Sequence, residues 1–204
     1  MKLYSQFLFP RLLDVAMGGE PFTSYRRSLL AGVTGEVLEI GFGTGLNLAH
    51  YPSQIQQLAT VDPNPGVNRL AQRRIAGSGM EITQYCLSGE SLPMADRSFD
   101  SVVSTWVLCS IPDVARAIAE VHRILRPGGK FLFIEHGLSD QPGIQPWQRR
   151  LTPMQKIIGD GCHLDRDIAA LVKAAFSHVD YRTFYGKNMP KVAGFMYQGV
   201  ATKA

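Results

Sequence analysis

Glu39-Ile40-Gly41-Phe42-Gly43-Thr44-Gly45 is the stretch whose setting decides the fold. Before it, Gly35-Glu36-Val37-Leu38-Glu39-Ile40 is short, apolar and bounded by glycine, which reads as a buried strand. After it, Leu46-Asn47-Leu48-Ala49-His50-Tyr51 has helical spacing and stops ahead of Pro52, so a helix is predicted there. Strand, glycine turn and helix start make half of a nucleotide-binding βαβ unit. Glycines let backbone pass close under a ligand, and a helix start offers free N–H groups.

The spacing narrows the ligand. A dinucleotide fingerprint needs its third glycine where this chain has Leu46, and no Gly-Lys-Ser/Thr follows to make a phosphate loop. Glu39 stands where it would repel a pyrophosphate and attract a cationic amine or sulfonium. A second carboxylate, Asp62, closes the next apolar stretch 21 residues beyond Gly41, the distance at which a parallel strand delivers an acid to ribose hydroxyls. Two acids and a glycine turn suit an adenosine that carries positive charge.

Further along, Glu81–Cys86 alternates as a third strand and Phe99–Thr105 is a fourth. Val114–Leu125 has strong helical periodicity, and Gly129–Glu135 is a fifth strand. Residues 3–31 read as two helices broken at Gly18-Gly19-Glu20-Pro21, and the segment after Asp62 as a helix running to about Ala76. Residues 137–163 are rich in Gly, Pro, Gln and Trp; Ile168–Phe176 is helical; Val179–Tyr185 and Phe195–Ala201 are two alternating strands. Such alternation predicts an α/β fold, a parallel sheet with helices on both faces.

The chain has 204 residues, enough for one domain with a sizeable core, and 45% hydrophobic with 19% charged residues is ordinary for a globular protein. No apolar run reaches the ~18–20 residues of a membrane span. Three widely spaced cysteines, Cys86, Cys109 and Cys162, predict a reducing, cytoplasmic setting and no disulfide framework. No metal site is expected, because Cys162 and His163 lack two further ligands. Cys109 reads as a small buried hydrophobe, and His50 and His122 as solvent-facing. Net charge is +4, but the pairs Arg26-Arg27, Arg73-Arg74 and Arg149-Arg150 read as solvated faces and not as a nucleic-acid surface. Residues 1–31 mix Leu3, Phe7, Leu8, Leu12, Leu13 and Val15 with Lys2 and Arg11. They read either as a helical lid over the pocket or as a surface for peripheral contact with an anionic membrane.

Four motifs in order, Glu39–Gly45, Val61-Asp62-Pro63-Asn64, Leu92-Pro93-Met94 with Ser98-Phe99-Asp100, and Leu125-Arg126-Pro127-Gly128-Gly129, resemble those of class I S-adenosylmethionine-dependent methyltransferases. The resemblance implies a Rossmann-like sheet of seven mostly parallel strands, order 3-2-1-4-5-7-6 with the last strand antiparallel. It implies a cofactor core at 33–136, an N-terminal lid at 1–31, a lid insertion at 137–163 and a terminal helix and strand pair at 164–204. S-adenosyl-L-methionine would be the cofactor. Gly41, Gly43 and Gly45 would pack on its methionine and ribose, Glu39 would attract its ammonium, and Asp62, with Pro63 beside it, would bind the ribose. Ser88-Gly89-Glu90 would read the adenine edge, with Ser88 standing where the family often has Asp. Thr105 and Trp106 would lie beneath the methionine chain.

His136, past the fifth strand, either deprotonates or orients an acceptor, or ends the strand against Glu135. Trp106-Val107-Leu108-Cys109-Ser110, Ile134-Glu135-His136 and Gly159-Asp160-Gly161-Cys162-His163-Leu164 with Arg166 are more narrowly similar to animal membrane-associated thiol methyltransferases. Quinone and phospholipid methyltransferases share the cofactor half nearly as well. The expected acceptor is therefore small or lipid-like (thiol, amine or quinone-type). Ser104-Thr105-Trp106-Val107 replaces the Asn/Asp-Pro-Pro-Tyr of amino-methylating nucleic-acid enzymes, which disfavours nucleic acid. The rival readings are a non-catalytic S-adenosylmethionine-binding module and a nicotinamide oxidoreductase.

Overall fold

A computed structural model describes residues 3–204. A π-helix at Tyr4–Leu8 runs into α1 (Phe9–Met17), followed by α2 (Phe22–Leu30), β1 (Val37–Ile40), a 3₁₀ turn (Leu48–His50) and β2 (Gln57–Val61). Then come α3 (Pro65–Ser78), β3 (Glu81–Tyr85), β4 (Phe99–Thr105), α4 (Val114–Ile124) and β5 (Leu125–His136). The chain finishes with α5 (Gln145–Ile158), α6 (Ile168–Ala175), β6 (His178–Tyr185) and β7 (Phe195–Thr202).

The sheet order is β3-β2-β1-β4-β5-β7-β6, as expected. β1 pairs in parallel with β2 and β4, and β7 enters antiparallel between β5 and β6. The period of two along β5 splits the core across the sheet. Phe131 and Phe133 join the cluster under α4 and α6, while Leu132 and Ile134 join the one under α2 and α3. Helix α4 buries Val114, Ala117, Ile118, Val121 and Ile124, one face at helical spacing. Its first turn is capped by Asp113, which accepts from Arg116 N at 3.0 Å.

Two local expectations are corrected. The helix expected after Gly45 is only the 3₁₀ turn Leu48–His50, because Pro52 pushes Tyr51 into extended backbone (φ −65°, ψ 142°). The Gly/Pro-rich segment 137–163 contains the 14-residue helix α5. Pro146 sits in its first turn, where a missing N–H costs nothing. His50 and His122 are half-buried, His122 lying edge-on against Phe176 with ring centroids 5.1 Å apart.

Parallel strands bring the carboxyl ends of β1, β2, β4 and β5 to one edge, where ligands enter such sheets. The N-terminal segment crosses that edge. Asp14 of α1 takes a fork from Arg74 of α3, 2.7 Å from Nη1 and 3.1 Å from Nη2, and also accepts from the Thr44 hydroxyl. Tyr4 and Ser5 bond the far side, Tyr4 Oη donating to Ile158 O and Ser5 Oγ to Asp160 Oδ2, each at 2.6 Å.

Candidate active site

A cavity of about 420 Å³ opens at this edge, a size that suits a small-molecule ligand. Its floor is the tip of β1. Gly41 has φ +72°, and a Cβ there would run into Val107. Gly43 has φ +58°, and the place of its missing Cβ is open, with Gly41 O 3.9 Å away as the one neighbour within 4 Å. That vacant cradle is what close approach by a ligand requires. Gly45 (φ +79°) faces away. A Cβ on it would meet Leu48, Phe42 and Ala71, so this position is set by packing, and it is not among the residues lining the cavity.

Both predicted carboxylates reach the cavity. Glu39 is 1% exposed and accepts from Asn47 Nδ2 at 2.8 Å and from Tyr51 Oη at 2.7 Å. Burial lifts its carboxyl to about 7, against the pull of those two hydrogen bonds and of Arg26. Asp62 is also buried and holds the turn together, Oδ2 accepting from Gly43 N and Oδ1 from Asn64 N, both at 2.9 Å. Burial raises its pKa against those two N–H donors. Asn64 caps α3, accepting from Gly66 N at 2.8 Å, and Asp62 is left facing the pocket.

Pro63, Ser88, Gly89, Thr105, Trp106 and His136 also line the cavity. Glu90 does not. Its side chain turns back to accept from Ser88 Oγ at 2.7 Å and from Asp113 N at 2.5 Å, an inward brace for the loop that the spacing could not disclose. Trp106 sits at φ 54° with its ring edge-on to Phe22, centroids 5.3 Å apart. Ser104 Oγ and Val107 N donate to Glu135 Oε1 at 2.8 and 3.1 Å, clamping the turn after β4 to the end of β5.

Two groups escaped the sequence reading. Arg26, expected on a solvated face, is 4% exposed and lines the cavity from α2. Its Nη1 donates to Met17 O at 2.7 Å, its Nε has no partner, and burial lowers its pKa to about 10. The only hint was its place directly after Tyr25 on an amphipathic helix. The second group is a cluster: His136 Nε2 lies 2.9 Å from Cys162 Sγ, and Cys109, His136 and Cys162 place their ligand atoms within 4.8 Å of one another. Cys109 and the burial of the site push the Cys162 thiol up. His163, the sequence neighbour, turns away toward Asp165 at 3.7 Å.

An adenosyl sulfonium fits these residues. The open cradle at Gly43, a buried Asn47 Oδ1 without a partner and two carboxylates beside one guanidinium match a ligand bearing hydroxyls, an ammonium and a carboxylate. Fold and pocket together match the Rossmann-like architecture of class I methyltransferases. Residues 38–133 match the family described as "Methyltransferase domain". That match speaks against the nicotinamide reading.

The chain is 40% identical over 158 residues to the rat (Rattus norvegicus) thiol S-methyltransferase TMT1B, covering 74% of this chain and 64% of that protein. It is 26% identical over 146 residues to the phosphatidylethanolamine N-methyltransferase of Cereibacter sphaeroides, 69% of this chain and 71% of that one. The chain thus spans just under two thirds of the length of the thiol methyltransferases it matches. In fold it is similar to an S-adenosylmethionine-dependent methyltransferase from Thermotoga maritima, TM-score 0.70 at 18% identity, covering 99% and 98% of the two chains.

Proposed function

We propose that this protein transfers the methyl group of S-adenosyl-L-methionine to a small or lipid-like acceptor, with a thiol as the acceptor group. The observation that carries the reading is the β1 tip, where Gly43 leaves an open cradle between two buried carboxylates, Glu39 and Asp62. A phosphate binder would place N–H groups and cations there; this site offers negative charge to an ammonium and hydrogen-bond acceptors to a ribose.

When bound, the donor supplies an activated methyl on a sulfonium whose leaving group departs neutral. The protein then has to orient and dehydrate. Asp62 accepts from the ribose hydroxyls on lone pairs not used by Gly43 N and Asn64 N. Glu39 faces the ammonium and Arg26 the carboxylate, so the methionine end is held by charges of both signs. Ser88 and Gly89 border the adenine, and Trp106 and Val107 wall the methionine chain. Alignment of this kind accounts for roughly 7–11 kcal/mol of barrier reduction. The thiol reading draws on the relatives named thiol S-methyltransferase and on the acceptor end of the cavity, lined by Cys109, His136, Cys162, Met189 and Met196. His136 borders this end of the cavity and would orient the acceptor.

Apolar acceptors would arrive from a surface. α1 and its π-helical lead expose Phe7, Leu8, Leu12 and Val15, while α5 exposes Trp147, Met154, Ile157 and Ile158. The Tyr4 and Ser5 bonds join these two elements into one apolar roof, which supports a peripheral membrane contact and a lid role for residues 1–31 and 137–163. Among the described residues no helix is long and apolar enough to cross a membrane.

A labelled-methyl screen across alkyl and aryl thiols, amines, phenols and quinones, read by product mass, tests the proposal. Methylated thiols are expected. Binding of S-adenosylhomocysteine without any product would instead identify a non-catalytic binding module.

A further inference from the structure

We propose that Cys109, His136 and Cys162 form a three-ligand Zn²⁺ site whose open fourth position faces the cavity and takes the acceptor sulfur. The metal half of the proposal stands on geometry alone; the acceptor half rests on the thiol reading above.

Three elements far apart in sequence supply the ligands. Cys109 sits on the turn after β4, His136 ends β5, and Cys162 follows α5. Their positions are fixed by backbone, because His163 N donates to Cys109 O at 2.9 Å and so ties one cysteine loop directly to the other. Asp160 (φ 49°) and Gly161 (φ 98°) make the left-handed turn that aims Cys162 inward. Both cysteines are buried, at 2% and 7% exposure, and all three residues line the cavity.

The donor set selects the ion. Two thiolates and an imidazole suit Zn²⁺, and a catalytic zinc keeps three protein ligands with one position free. A tetrahedral ion with Zn–S about 2.3 Å and Zn–N about 2.0 Å holds its ligand atoms about 3.4–3.8 Å apart. The three atoms already lie within 4.8 Å, and the His136–Cys162 pair at 2.9 Å has to open by a side-chain adjustment. Two cysteine protons leave to solvent as the metal binds, and the charges of two thiolates and Zn²⁺ cancel.

The chemistry balances without a redox step. The acceptor thiol releases its proton to solvent on coordinating zinc, and a lone pair of its sulfur forms the new C–S bond. The sulfonium C–S bond breaks with its electron pair remaining on the departing sulfur. A metal-bound thiolate also explains how a deeply buried site can hold an ionised acceptor, where an unpaired thiolate would be costly.

The test uses chelator-stripped protein in a phosphine reductant, titrated with Zn²⁺ alone and with Co²⁺ alone. Expected are uptake of about one equivalent, a thiolate-to-Co²⁺ charge-transfer band and an X-ray absorption first shell of two sulfurs and one nitrogen. Cys109→Ser and Cys162→Ser should each abolish the band while S-adenosylhomocysteine binding, the check on folding, survives. Addition of benzenethiol should put a third sulfur on the metal. Failure of the reduced protein to retain Zn²⁺, or equal uptake by the Cys109→Ser/Cys162→Ser double variant, overturns the site. Zinc bound through both cysteines but never joined by the added thiol upholds the site and overturns the acceptor half.

Discussion

The Arg26 guanidinium lies over the Trp106 ring, 4.9 Å from its centroid, joining a helix near the N-terminus to the tip of the central strand β4. This contact keeps a buried cation at the cavity wall with its Nε unpartnered. Arg26→Met keeps the apolar stem and removes the charge. It should weaken S-adenosylhomocysteine binding about 10–100-fold, the loss of a charge-assisted pair. Methylthioadenosine, which lacks the amino-acid end, should bind equally to both forms. Calorimetry with the two ligands checks the role; a matched loss for both would remove Arg26 from carboxylate binding.

Asp62→Ala takes away the ribose acceptor and the anchor of Gly43 N and Asn64 N together. An affinity loss of roughly 1.5–3 kcal/mol for S-adenosylhomocysteine is expected. Unchanged affinity would leave Asp62 a purely structural residue.

Glu39 makes a pH prediction. Its folded-state pKa of about 7 lies above the ordinary 4.5, so the folded chain holds this proton more tightly than the unfolded one. Stability of the ligand-free protein should therefore fall as pH rises from about 4.5 to about 7 and level off beyond, by at most about 3 kcal/mol. An ammonium beside Glu39 favours the carboxylate, so S-adenosylhomocysteine affinity should rise through the same window. Thermal melts and calorimetry between about pH 5 and 8 read both slopes, and Glu39→Gln should flatten them.

Gly43→Ala would place a methyl group in the open cradle at a backbone angle that costs about 1–2 kcal/mol for a residue with a side chain. The variant should fold with a lowered melting temperature and lose most cofactor affinity. Gly45→Ala, pressed on Leu48 and Phe42, should lose stability first.

Leu8→Asp with Ile157→Asp should reduce co-sedimentation with vesicles containing an anionic lipid and leave methylation of a water-soluble thiol in place. Both positions are exposed, so the fold should tolerate the change.

What was legible in the sequence followed from local rules. β4 falls at Phe99–Thr105 and α4 begins at Val114, as their periodicities require. Asp62 could be placed because the distance from Gly41 is set by one crossover. Residues whose role comes from tertiary neighbours were not readable in this way. Nothing near Cys109 announces that His136 and Cys162 will meet it, since three separate chain crossings bring them together. Arg26 beside Arg27 reads as surface until α2 is seen packed against β5 and Trp106. Glu90 and Gly45 carry the motif's letters yet face inward, because bracing the loop and packing α3 demand them there.

Tyr4 reaches across more than 150 residues of sequence to grip the last turn of α5, and Ser5 does the same to Asp160. Two hydrogen bonds thus fasten the N-terminal segment to the end of α5 across the cavity edge, and Tyr4→Phe with Ser5→Ala is the smallest change that unfastens it.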